Sequence, residues 1–253
     1  MLQTWGNRQP SWIFAQPYGN EQPGDVSTKL TDHDFGHGTC VTDLAVGKIA
    51  GVAKEADITV VQVDTYTSDL VSTLELEKNV DALSQIYDDI LRRNIDRQAV
   101  VAMAWGFDTV EEEEKKGRTA SWYLAAWNAM FKLCDAIGKR GVALVAAHEN
   151  RDKCQGPPCI FANPDRTDFV PAVISVDARD IKDGSYGSGD PDALDDWTTI
   201  YGPAYDGNEP TDEQGFECAS PNGPPGELRS PFWGTSAGML PHKRTVDGRA
   251  DSE

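Results

Sequence analysis

Two glycine-flanked residues, far apart in the chain, have the types that acyl-transfer chemistry needs. Gly36-His37-Gly38-Thr39 opens the stretch HGTCVTDLAVGKIAGVAKEADITVVQV, and Gly234-Thr235-Ser236 stands near the other end. A serine hydroxyl is a poor nucleophile until a neighbouring base takes its proton. An imidazole, with an ordinary pKa of ~6.5, can take it near neutral pH. Folding that joins His37 to Ser236 supplies a base and a nucleophile. The oxyanion formed on acyl attack needs donors aimed at it. The side-chain amide of Asn150 and the backbone N–H of Ser236 are the candidates. Taken singly, each residue also has a plain structural use: His37 as a helix-end histidine, Ser236 as a loop serine, Asn150 as a turn former.

The elements that must carry these residues are legible from periodicity. Thr39–Val46 reads as a small-residue helix with His37 at its start, and Ile58–Val63 is a β-branched run suited to a buried parallel strand. Val80, Leu83, Ile86, Tyr87, Ile90 and Leu91 recur at helical spacing, predicting an amphipathic helix over Asn79–Arg93. Ala99–Ala104 is the next strand. Glu111–Glu114 followed by two lysines reads as a solvated loop or helix start. Thr119–Ile137 predicts a long helix, with strands at Gly141–Ala147 and Ala172–Val176 on either side of Asn150. Strand, helix and strand in alternation predict an α/β fold: a doubly wound, mostly parallel sheet with helices on both faces. Sites in such sheets assemble outside the carboxyl ends of the strands. Residues 1–35 are rich in turn formers and aromatics and read as an irregular lead-in. From Asp180 to Pro231 loops and short strands are expected.

Composition narrows the class. At 253 residues one domain suffices. A formal net charge of -18 and a pI near 4.5 argue against a nucleic-acid partner, which calls for a basic face. No apolar run reaches the ~18–20 residues that a membrane span needs, and the first 25 residues lack the basic region and apolar core of a signal peptide. Among five cysteines, Cys154 and Cys159 bracket Gln-Gly-Pro-Pro, giving a local disulfide or two free thiols. No second pair completes a zinc set. His33 and His37 mimic an H-x-x-x-H pair, but Gly36 and Gly38 oppose the helix that would align them, so no metal site is assigned. His148 reads as a strand-end residue and His242 as part of a solvated tail. The acids Asp190, Asp192, Asp195 and Asp196 allow a structural calcium, although a solvated acidic loop reads better, since no EF-hand-like register is present.

In order along the chain, these segments resemble the subtilisin-like serine proteases (subtilases, peptidase family S8), and the fungal type among them. HGTCVTDLAVGKIAGVAKEADITVVQV is similar to the family's histidine segment, and VVAMAWGF to its substrate-binding strand. GVALVAAHENRD is similar to the segment with the oxyanion asparagine, PAVISVDA to the strand after it, FECASPNG to the Ala-Pro-Gly-type loop, and WGTSAG to the nucleophile motif. The resemblance runs from about residue 36 to 237. It implies a serine endopeptidase acting on polypeptides through an acyl-enzyme on Ser236, with His37 as base and Asn150 as oxyanion donor. It implies a primary specificity pocket lined by Ala104, Trp105 and Gly106, narrowed by the bulk of Trp105. No cofactor is required, and a monomer without nucleic-acid or membrane partners is expected. The family is usually secreted or vacuolar, but the compartment of this chain stays open.

Three departures accompany the match. The family's triad aspartate ends a strand well upstream of the histidine, in a V-x-[VI]-[IL]-D-[ST]-G-like motif, and nothing in residues 1–36 reads that way. Asp25, Asp32 and Asp34 are the aspartates there, and none is assigned the role. After Ser236 the family continues into a long buried helix, whereas here a polar tail, residues 239–253, follows. Glu149 stands where the family has glycine. The reading is therefore an incomplete catalytic domain over 36–238, a fragment without its first strand and last helix. A catalytically impaired remnant is the alternative.

Overall fold

The computed structural model describes residues 10–15, 37–48, 51–63, 66–68, 71–73, 76–107, 110–115, 119–148, 154–180, 199–205, 216–219 and 228–232. Its centre is a four-stranded parallel sheet. The strands are β5 (Val100–Met103), β6 (Ala143–Ala147), β7 (Val173–Asp180) and β8 (Ile200–Tyr205), paired in that order. Successive side chains of a strand point to opposite faces, and both faces are covered. On one face Met103, Leu144, Ala146 and Val173 join a core with α2 (Leu76–Arg93) and α4 (Ala120–Lys139). On the other, Ala147, Val145, Ile174 and Val176 pack with α1 (His37–Val46). This is the α/β architecture that the alternation of elements predicts.

The two long helices are built for that layer. α2 buries Leu76, Ala82, Leu83 and Ile90, carries Glu77 in its first turn and Arg92 and Arg93 in its last, and so complements its own dipole. It ends at Asn94, whose φ of 53° is the left-handed stop a short polar side chain tolerates. α4 begins at Thr119, whose hydroxyl accepts from the Trp122 N–H. Its buried residues Tyr123, Met130, Cys134 and Ile137 follow one another at seven, four and three positions, along one side. Leu83, Ile90, Tyr123, Met130 and Ile137 are all at most 3% exposed, and each side chain contributes about 1.5–3 kcal/mol of burial. Residues 110–115 form the short helix α3, as the charge run allowed.

One expectation is overturned. Within the supposedly irregular lead-in, Ser11–Ala15 is a strand, β1, paired in parallel with β2 (Thr59–Val63) from Ser11↔Thr59 to Ala15↔Val63. An N-terminal strand is therefore present. A five-residue run between Pro10 and Pro17 is too short to show a period, and its partner lies far along the sequence. α2 packs on both β1 and β2 as well as on α4, so this pair shares the helical layer of the main sheet. Two antiparallel pairs complete the described elements: β3 (Tyr66–Ser68) with β4 (Val71–Thr73), and β9 (Phe216–Ala219) with β10 (Leu228–Phe232). No helix among the described residues is long and apolar enough to cross a membrane.

Candidate active site

His37 is the first residue of α1 and is half-buried. The helix is short and made of small residues because it lies flat on the sheet. Cys40, Val41 and Leu44, all at most 9% exposed, pack against Ala104, Ala147 and Val176. Ala104 follows β5 directly, and Ala147 ends β6. Cys40, Val41 and Leu44 thus seat the histidine helix at the carboxyl ends of the central strands, where open α/β sheets place their sites. The exit from α1 is equally constrained. Val52 and Ala53 both donate to the Ala45 carbonyl, at 3.1 and 2.9 Å, and a Cβ on Gly51 would run into the backbone of Gly47. That close approach requires glycine and accounts for the Gly-Val-Ala turn of the motif.

The expected pocket wall leaves the same end of the sheet. Ala104 and Trp105 are half-buried, Gly106 is exposed, and Phe107 is 6% exposed. Trp105 and Phe107 meet edge to face, with ring centroids 5.4 Å apart. Behind them lies a buried loop that the motif reading left unused. The Phe107 N–H donates to the Pro157 carbonyl at 3.1 Å. Pro157 sits inside the disulfide Cys154–Cys159, ahead of a 3-10 turn at Cys159–Ala162, and the Pro157–Pro158 peptide is cis. Of the readings left open for these cysteines, the disulfide is the one found. His148, 6% exposed, follows β6; its N–H donates to the Val176 carbonyl at 2.9 Å, and its Nε2 accepts from the Cys154 N–H at 3.4 Å. The loop therefore ties the segment after β5 to the segment after β6. Only the spacing of the two cysteines hinted at it in the sequence.

Asn150, Glu149 and Ser236 lie outside the described residues, as do Asp25, Asp32, Asp34, the acids Asp190, Asp192, Asp195 and Asp196, and the tail 239–253. Among the described residues, no group of three or more His, Cys, Asp or Glu is placed to hold a metal ion. β1 changes the question of the missing aspartate. An upstream strand exists, parallel to the one that follows the histidine segment, but the sequence leaving it is Gln16-Pro17, and the first acid after it is Glu21.

A parallel sheet covered by helices on both faces, with a histidine helix laid across its strand ends, defines the fold as α/β. The sequence profile of the subtilase family (peptidase S8) matches residues 13–237, and the chain belongs to that family, one of serine peptidases. The profile's start at Ile13 falls within β1. Two solved structures are similar to the chain. One is the prenylagaramide maturation protease PagA, at 18% identity, with a TM-score of 0.47, over 91% of this chain and 64% of that one. The other is the S41 psychrophilic protease, at 16% identity and a TM-score of 0.46, over 81% and 59%. The chain thus spans less than two thirds of either structure's length. No curated protein matches it.

Proposed function

We propose that this chain is a serine endopeptidase that cleaves polypeptides through an acyl-enzyme on Ser236. His37 takes the Ser236 proton as the hydroxyl attacks the scissile carbonyl, then delivers it to the departing amine. Asn150 and the Ser236 N–H hold the oxyanion. Water, deprotonated by His37, releases the acyl group. Ala104, Trp105 and Gly106 line the primary pocket, and Trp105 favours small side chains there. The observation that supports the reading is the seat of α1: the histidine of an HGT motif begins a helix packed against Ala104, Ala147 and Val176 at the strand ends.

One observation favours a slower enzyme or a remnant without catalysis. β1 leads into Gln16-Pro17 rather than into an aspartate. In subtilisin, a relative, loss of the triad aspartate alone lowers kcat by roughly 3 × 10⁴. A fluorophosphonate probe separates the readings. Labelling that disappears in Ser236→Ala, and falls by about 10²-fold or more in His37→Ala, is the expected result. A preparation with a cooperative thermal transition and no labelling would sink the peptidase.

A further inference from the structure

The sequence contains five cysteines: Cys40, Cys134, Cys154, Cys159 and Cys218. Cys154 and Cys159 are bonded to each other, and Cys134 is a free, buried thiol. Cys40 is also disulfide-bonded. Cys218 is the one cysteine left to be its partner, and it lies in β9, the strand that packs against α1. We infer that Cys40 and Cys218 form a disulfide that fastens the histidine helix to the β9–β10 hairpin and so positions His37 against Ser236. The positioning role rests on the peptidase reading; the bond does not.

The placement explains why a covalent tie is useful here. Cys40 stands three residues after His37, one turn along the same side of α1, so whatever holds Cys40 holds the start of the helix. Cys218 pairs in register with Arg229 of β10, and β10 ends at Phe232, four residues ahead of Ser236. Among the described residues the hairpin pairs with no strand of the central sheet, and a two-stranded hairpin alone is only marginally stable. The bond joins it to a helix already seated on the sheet by Val41 and Leu44. Reduction by a dithiol transfers two electrons and two protons. It opens the bond to the Cys40 and Cys218 thiols while the dithiol closes to its own cyclic disulfide. Re-formation needs a disulfide oxidant such as oxidised glutathione.

Peptide mapping of the unmodified native chain, alkylated and digested without reductant, tests the bond directly. A peptide pair joining Cys40 to Cys218 that separates on reduction is expected. Recovery of both as alkylated thiols, or of Cys40 joined to any other cysteine, would overturn it. Fluorophosphonate labelling and peptide hydrolysis then test the positioning role in Cys40→Ala/Cys218→Ala. A fall in labelling rate and kcat of tenfold or more at unchanged KM is expected. Equal rates in the two proteins would remove the positioning role. A wild-type chain that carries the mapped bond but takes no label would remove both the peptidase reading and the positioning role, and leave the bond standing.

Discussion

Asp168 shows how a single loop carboxylate can tie a helix residue to an arginine of its own loop. Trp127 of α4 donates its indole N–H to Asp168 at 2.8 Å. Arg166 donates to both carboxylate oxygens, at 2.7 and 3.1 Å, while its guanidinium lies 5.5 Å from the Trp127 ring centroid. Partial burial pushes the Asp168 carboxyl up, but the hydrogen bonds from Arg166 and Trp127 and the Arg166 charge outweigh it and hold the pKa below its ordinary value. A depressed folded-state pKa adds stability above the unfolded value of ~3.9, and that stability is lost as pH falls through the folded value. Asp168→Asn should therefore cost about 1 kcal/mol in urea titrations at pH 7, with the gap from wild type closing below pH ~4. At Gly141, φ is +76° and a Cβ would stand 2.5 Å from the Arg97 Cγ. Gly141→Ala should lower the denaturation midpoint by more than the usual glycine-to-alanine gain could offset. A Gly141→Ala variant as stable as wild type would refute this account of the turn. Neither role was legible beforehand, because a loop aspartate and a glycine before a strand look ordinary until their neighbours are known.

Among the elements, those with a period were read well. The ends marked by Thr119 and Asn94 fall within a residue of the expected ones, whereas α2 begins three residues earlier and α4 extends two residues further, because a helix can run on past the last residue of its apolar stripe. β5 and β6 fall inside their predicted runs, since strands covered on both faces stay continuously apolar, whereas β7 continues four residues past its expected end, through the polar Asp177, Arg179 and Asp180. β1 was missed for the opposite reason: it has five residues, proline on both sides, and a partner that only tertiary structure reveals. The α2–α4 layer is the element-scale source of stability. Leu83→Ala should cost about 2–5 kcal/mol, seen as a lower denaturant midpoint at unchanged m-value. A loss under about 1 kcal/mol would mean that this layer is looser than its packing indicates.

At the scale of the whole molecule, family and fold were legible because six segments occur in the family's order, whereas the completeness of the site was not. His37 and residues 104–106 stand at the strand ends, but Asn150 and Ser236 lie outside the described residues, and the strand β1 is too short to be read from sequence. The buried thiol carries a different consequence. Cys134 is fully buried between the helical layer and the sheet, and burial pushes its pKa up to about 12. The thiolate is the form that an alkylating reagent attacks, so the native chain should resist iodoacetamide at about pH 8. If the other four cysteines stay bonded, Cys134 is the one sulfhydryl in the chain, and its modification counts openings of the core. When reclosing outpaces modification, the rate tracks the open population. A loss of about 2 kcal/mol in Leu83→Ala then reads out as a roughly thirtyfold faster mass shift. The chain thus carries its own clock for breathing, with no label to engineer and no peptide substrate to supply.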